Sequence, residues 1–416
     1  MIKIFKFGGT SIKDVSSIKK VVKILDSYKN EKLLIIFSAM GKVTNMLEDV
    51  VESYFFSHND LRNKLDLVKE YHFDLLDDLF KKSHKIYDEI NNLFLDIINT
   101  IAIEANKNYS YHYDQIVSVG EILSTKIICA YLNDNGFSNN WIDARYIIKT
   151  DNTYRNAKID WEQTISCVNE RIIDFPIITQ GFIGSNSENH TTTLGREGSD
   201  FTAAILAFVL KAKEVVIWKD VYGILNADPR FFDKTTLFNK VPFHEAIELA
   251  FFGAKVIHPK TIQPLQKANI PLKVKSFLNP LKKGTIIKDV EKLDPMTPAF
   301  IVKENQILIS ISDKNLSFIV EKHLSKIFAI LSFLDINVNL MQNSAVSFSI
   351  CVDNDPQKVP QFITKLKDDF ELYFNDNLEL FTIRHYNVES KQKILGNKTL
   401  YLEQKSRNTL QLVLSK

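Results

Sequence analysis

Thr191-Thr192-Thr193-Leu194-Gly195-Arg196-Glu197-Gly198-Ser199-Asp200, running on into Phe201-Thr202-Ala203-Ala204-Ile205-Leu206-Ala207, reads as a glycine-bearing loop that feeds the start of a helix. Gly195 and Gly198 permit backbone angles that other residues resist and let a ligand come close to the main chain. Ser199 or Asp200 can cap the helix. The free N–H groups at such a helix start, together with the helix dipole, make an anion site. Arg196 adds a planar fork suited to a carboxylate or phosphate. Upstream, Pro176-Ile177-Ile178-Thr179-Gln180-Gly181-Phe182-Ile183-Gly184 reads as a buried strand ending in glycines. A strand, a polar glycine loop and a helix is where open α/β sheets bind ligands. A capped surface turn is the plainer alternative, because glycine loops alone give frequent false matches.

Composition narrows the classes. The chain has 416 residues and a formal net charge of +2, room for two or three domains and no long-range field for nucleic acid or an anionic membrane. No uninterrupted apolar run approaches membrane-spanning length, and Met1 to Gly8 is too short and too charged for a signal peptide. Cys129, Cys167 and Cys351 are far apart, without metal or redox spacing. These features point to a reducing cytoplasm. Glycine is scarce, with 13 in all, against roughly 7% in ordinary proteins. Nearly all stand in polar, loop-like settings before residue 285. That distribution implies one large ligand-binding domain first and a glycine-poor module last.

Ile2 to Phe7 reads as a strand that delivers Lys6 to Gly8-Gly9-Thr10-Ser11, a workable phosphate cradle of amides, hydroxyls and a point charge. Read alone, without the later motifs, it is better taken as a strand ending in a hairpin turn. Leu33 to Phe37 is a second buried strand, followed by a small-residue loop with Ser38 and Thr44. Residues 46–110 show helical periodicity and are read as two or three helices covering one face. Glu121 opens an apolar helix after Gly120, the ordinary place for an acid at a helix dipole. Glu214 to Trp218 is a strand running into Lys219-Asp220, then Asp228-Pro229-Arg230. Phe243 opens a helix that ends near Lys255 and His258. Ile270 to Phe277 is expected to be the last strand of this domain, and 294–298 a linker. Beyond it, strands at 306–312, 337–341, 347–352 and 378–384 with helices at 324–334 and 357–370 follow the βαββαβ order of a ferredoxin-like unit. Residues 399–402 and 410–414 are read as a terminal hairpin.

Taken together, these loops resemble the aspartate kinase family. The resemblance rests on Lys-Phe-Gly-Gly-Thr-Ser at 6–11, Gly-Glu at 120–121 and Gln-Gly-Phe-Ile-Gly at 180–184. It rests equally on Thr-Thr-Leu-Gly-Arg-x-Gly-Ser-Asp at 192–200, Asp-Pro-Arg at 228–230 and Phe-Gly-Ala-Lys-Val-Ile-His-Pro at 252–259. The motifs stand in family order over residues 1 to about 285, and the tail resembles the family's regulatory ACT module. The resemblance implies a three-layer αβα amino-acid-kinase fold with a mixed, mainly parallel sheet over residues 1–290. A ferredoxin-like (ACT) α+β domain would fill 300–416, with one clear unit and a partial second in 388–416. It implies ATP and L-aspartate as substrates, Mg²⁺ carried with ATP, and 4-phospho-L-aspartate as product. Implied partners are an amino-acid effector, lysine or threonine, and a second copy of the chain in a homodimer or higher oligomer.

Residue by residue, the resemblance gives catalysis to Lys6 and Asp200, and substrate binding to Thr44, Glu121, Arg196 and Ser199. It gives nucleotide binding to Lys6, Gly8, Gly9, Ser38, Lys219, Asp220, Arg230 and Lys255. No residue is assigned to a resident metal. The chemistry fits, since aspartate brings an ammonium for Glu121 and a carboxylate for Arg196. Three positions depart from the family pattern. Glu197 stands for a usual glycine, Lys219 for threonine and Leu225 for tyrosine. No dinucleotide fingerprint follows residue 300, which argues against a fused dehydrogenase. Rival readings are a glutamate or acetylglutamate kinase of the same fold, and an inactive amino-acid-binding regulator.

Overall fold

The computed structural model describes residues 1–56, 60–102, 108–254, 257–314 and 318–416. Two compact units emerge, one of Met1–Ile224, Leu237–Ile247 and Val256–Asp294, the other of Leu225–Thr236, Glu248–Lys255 and Pro295–Lys416. The chain begins β1 (Ile2–Phe7), α1 (Val15–Asp26), β2 (Lys32–Phe37), α2 (Val43–Phe56), α3 (Leu61–Leu79), α4 (Ile86–Ala102), α5 (Tyr109–Val117) and α6 (Val119–Asp134). It continues β3 (Asn140–Ile142), α7 (Trp161–Arg171), β4 (Ile177–Gln180), β5 (Ile183–Ser185), β6 (Thr191–Thr193), α8 (Gly198–Leu210) and β7 (Glu214–Lys219). Then come β8 (Lys240–Pro242), α9 (Phe243–Phe252), α10 (Pro259–Lys267), β9 (Leu272–Ser276) and β10 (Thr285–Lys288).

Eight of these strands form one sheet in the order β3-β4-β2-β1-β7-β9-β10-β8. All neighbours are parallel except β9 and β10. Strands buried on both faces carry continuous apolar runs, as Leu33 to Phe37 does. Alternation along β1 and β7 separates two faces. Phe5, Phe7, Phe37 and Trp218 form one, with Phe7 stacked on Trp218 at 5.9 Å between ring centres and on Phe37 at 5.3 Å. Helices α1 to α6 cover that aromatic face. On the other, α8 lies across β1, β2 and β7, with α7 and α10 beside it. The result is a helix–sheet–helix sandwich, as the sequence leads one to expect.

Two readings need correction. Ile270–Phe277 is not the last strand, because β10 follows Gly284 and pairs with β9 and β8. Its four residues alternate buried and half-buried, too short a pattern to stand out beside charged flanks. The span Tyr109–Asp134 is long and apolar enough by composition to cross a membrane, but its apolar window is 72% buried inside the unit. It is interrupted at Ser118 between α5 and α6, and serves as core.

The second unit adds β11 (Ala299–Asp313), α11 (Glu321–Phe333), β12 (Val338–Asn343), β13 (Ser347–Asp353), α12 (Lys358–Leu366), β14 (Phe370–Arg384), α13 (Val388–Leu395), β15 (Leu400–Lys405) and β16 (Thr409–Ser415). Its sheet runs β12-β13-β11-β14-β16-β15. The first four strands with α11 and α12 make a ferredoxin-like unit around Ile309, Ile311, Ile350 and Phe362. The order β11-β14-β16-β15 repeats the pattern with α13 alone. Both long strands are therefore shared. They extend well past the apolar segments at 306–312 and 378–384 through polar residues at a bulge between Lys303 and Leu308. The helix at 357–370 stops at Leu366, because Phe370 already begins β14.

Close packing of β4 against α8 depends on Gly181. A Cβ there would meet the Cβ of Ser199 at 2.4 Å and its Cα at 2.6 Å. Gly181→Ala is expected to cost about 1–3 kcal/mol by overpacking, read as a lower urea midpoint. An unchanged midpoint would contradict this approach of strand and helix.

Candidate active site

Parallel strands β1, β2, β4 and β7 end on the same side of the sheet, and their exits carry the polar loops. Lys6 lies beside Ile217 in register. Residues i and i+2 of a strand share a face, so Lys219 projects on the same side as Lys6, toward α8. Asp200 lies in the first turn of α8. Its Oδ1 is 2.6 Å from Lys6 Nζ, and its Oδ2 is 3.6 Å from Lys219 Nζ. Burial pushes the Asp200 pKa up, but the two ammoniums outweigh it and hold the carboxyl below its ordinary value. Lys6 and Asp200 are both buried, in contrast with the weak ion pairs of protein surfaces.

The loop after β1 folds tightly onto the loop after β2. Gly41 N–H donates to Gly9 O at 3.1 Å, and Ser38 N–H to Phe7 O at 3.2 Å. A Cβ on Gly9 would stand 2.6 Å from Ala39 O and 2.8 Å from Gly41 O, so only glycine allows this closure. Thr44 is half-buried in the first turn of α2. Ser124 Oγ donates to Ser38 O at 2.8 Å, tying α6 to this loop.

Glu121 sits in the first turn of α6 and is only 2% exposed. Its Oε1 accepts from Ala39 N–H at 3.3 Å. Its Oε2 has no hydrogen-bond partner among the described residues. Burial pushes its pKa up to about 8, against the Ala39 amide and the charge of Lys6. A buried carboxyl with one oxygen unbonded among the described residues either keeps its proton or takes a cationic partner.

The loop into α8 is built on left-handed backbone, Gly195 at φ 76° and Glu197 at φ 54°. The angle at Glu197 accounts for a glycine at that position, since a side chain there strains the chain by about 1–2 kcal/mol. Arg196 is exposed and forms no salt bridge with the described residues, while Ser199 is buried against Gly181. Asp220 is exposed beyond β7. Arg230 belongs to the second unit, in a turn where its guanidinium grips Asp228 through both carboxylate oxygens. Lys255 lies outside the described residues.

One contributor escapes sequence reading. Asp114, fully buried on α5, accepts from Thr193 N–H at 2.9 Å, Thr193 Oγ1 at 2.7 Å and Arg155 N–H at 3.0 Å. It anchors the strand that delivers Leu194 to Gly198. A lone acid inside Tyr-His-Tyr-Asp-Gln-Ile-Val is its only trace.

The sequence profile of the amino acid kinase family matches residues 1–276. Lysine-sensitive aspartokinase 3 of Escherichia coli is 33% identical over 360 residues, covering 85% of this chain and 78% of that one. The chain belongs to the aspartokinases. It is 34% identical over 365 residues to chloroplastic aspartokinase 1 of Arabidopsis thaliana, covering 84% of this chain but 63% of that longer one. Aspartokinase III of E. coli in complex with lysine and aspartate superposes with a TM-score of 0.84 at 28% identity, covering 100% of this chain and 96% of that one. The same enzyme with aspartate and ADP gives 0.83 at the same identity and coverage. None of these aspartokinase relatives supports the glutamate, acetylglutamate or inactive-regulator readings.

Burial favours protonated Glu121 up to about pH 8; if this carboxyl is the one that receives the ammonium of aspartate, binding displaces that proton. Aspartate affinity is therefore expected to rise between about pH 6 and 8, with proton release on binding. Calorimetry in buffers of different ionisation enthalpy reads this directly. The release disappears in Glu121→Gln, and a zero proton count in the parent chain would contradict the assignment.

Proposed function

We propose that the chain transfers the γ-phosphoryl group of ATP to the β-carboxylate of L-aspartate, giving 4-phospho-L-aspartate. The observation that carries this reading is the bare, buried oxygen of Glu121, set at the sheet end that also holds the Lys6–Asp200 pair. Glu121 takes the substrate ammonium. Arg196 takes the α-carboxylate as a two-bond fork, with Thr44 and Ser199 completing the substrate side.

The β-carboxylate is the nucleophile. Free aspartate is ionised above about pH 3.9, so no general base is required. A carboxylate oxygen attacks Pγ, the bond from Pγ to the bridging oxygen breaks, and ADP leaves with its charge. Such transfers depend on positioning and charge neutralisation. Lys6 and the amides of Gly8 and Gly9 meet the phosphates, while Ser38, Lys219 and Asp220 serve the nucleotide; for Arg230 and Lys255 that role rests on the family resemblance alone. Asp200 orients Lys6. Mg²⁺ arrives on the nucleotide, where it neutralises phosphate charge. Among the described residues no three His, Cys, Asp or Glu side chains gather as a metal cage, and Asp200 is held by two ammoniums.

The second unit is read as regulatory, with lysine or threonine as effector and pairing with a second copy of the chain. The lysine complex of the E. coli relative supports an amino-acid effector. A pocket for it would join residues 312–316 to 337–344, of which 315 and 316 lie outside the described residues. Asn339 is already engaged, accepting from Lys303 Nζ at 2.7 Å and donating to Gln306 Oε1 at 2.8 Å and Asp353 Oδ1 at 2.9 Å. The three free cysteines suit a reducing cytoplasm.

Arg196→Lys keeps the charge but loses the fork. It is expected to raise the aspartate KM by about tenfold or more, the size of a charged hydrogen bond, with the ATP KM within about twofold. Equal effects on both substrates, or an effect on ATP alone, would move Arg196 to the nucleotide and undo the substrate assignment.

A further inference from the structure

Lys6 is paired with one buried carboxylate, Asp200, and a second buried carboxyl, Glu121, feels its charge. Asp200 Oδ1 lies 2.6 Å from the Lys6 Nζ. A lysine so placed is largely neutralised by Asp200, which conflicts with a role toward phosphate. Lys219 changes the charge count. Its Nζ is 3.6 Å from the other oxygen of Asp200, and its positive charge helps to hold the carboxylate ionised. Parallel register places both lysines on the α8 face, Lys6 opposite Ile217 and Lys219 two residues further along β7. Asp200 lies between them on the first turn of α8.

We infer that Lys219 is the second counter-ion of Asp200, and that it keeps the positive charge of Lys6 available to the transferring phosphoryl group. Once a substrate ammonium balances Glu121, Lys219 balances Asp200 and the charge of Lys6 remains. Without Lys219, Lys6 and Asp200 form a neutral pair, and drawing Lys6 toward phosphate strips a buried carboxylate of its partner. Breaking such a pair is strongly unfavourable. Lys219 acts through Asp200 and is thus a positioning residue. The inference rests on Lys6 as the phosphate-facing cation. It differs from the nucleotide-lining role given to Lys219 above, because here the contact that matters is with the carboxylate.

Steady-state kinetics on the full chain with Lys219→Met, Lys219→Arg, Asp200→Asn, Lys6→Ala and Lys219→Met/Asp200→Asn test it. Lys219→Met is expected to lower kcat by about tenfold while the aspartate KM stays within about twofold, a loss confined to the transition state. Lys219→Arg recovers most of that loss. In the Asp200→Asn background, where no buried charge needs a counter-ion, adding Lys219→Met costs little more. Lys219 is only partly buried, its side chain 23% exposed, so the variant is expected to fold, and Lys219→Gln replaces it if it does not. Wild-type kcat in the Lys219→Met or Gln variant overturns the inference. So does an undiminished loss in the Asp200→Asn background, which makes Lys219 a direct nucleotide contact. Near wild-type turnover in Lys6→Ala would instead remove the underlying reading of Lys6.

Discussion

A carboxylate removed from water requires a cation, and Asp200 imposes that requirement on the end of the main sheet. It is 2% exposed, and leaving such a group unpaired costs several kcal/mol. The solution uses two neighbouring parallel strands, each carrying a lysine at or next to its end on the same face, and a helix whose first turn meets them. Once β1 and β7 are adjacent and α8 crosses them, the aromatic face of Phe5, Phe7 and Trp218 is committed to the opposite helical layer. The glycine loops then close over the sheet end, because Gly9 and Gly181 allow contacts that any side chain would block. Position and charge are thus set by packing before any ligand arrives.

The same logic explains the two carboxylates near Lys6. Asp200 is held ionised by ammonium groups, whereas Glu121 is left with a bare oxygen and a pKa near 8. The two acids thus differ in charge: Asp200 is held ionised and Glu121 is pushed toward its neutral form. In the proposed mechanism the first orients Lys6 and the second receives the substrate ammonium. Pairs of titratable groups driven apart by their environments are a recurrent mark of catalytic sites.

Much of this was legible in the chain because it is local. Lys6 beside Gly8-Gly9, Glu121 at a helix start and Arg196 in a glycine loop each declare a chemistry within a few residues. What was not legible depends on register between distant segments. The approach of Lys219 to Asp200 exists only because β7 pairs with β1, some two hundred residues earlier in the chain. Asp114 holds Thr193 through a contact invisible to any short window. Likewise β11 and β14 were read short, since their polar middle stretches resemble turns until a neighbouring strand pairs them. Glu197 shows the reverse case: its identity looked only like a missing glycine, and the left-handed backbone gives the reason a glycine fits there.

The most direct test is to trap the acyl phosphate. The full chain, given ATP, Mg²⁺ and hydroxylamine, should form the hydroxamate of aspartate in preference to those of glutamate or acetylglutamate, and Lys6→Ala should form almost none while remaining folded. Equal or greater yield from glutamate or acetylglutamate, or an undiminished yield from folded Lys6→Ala, would contradict the account.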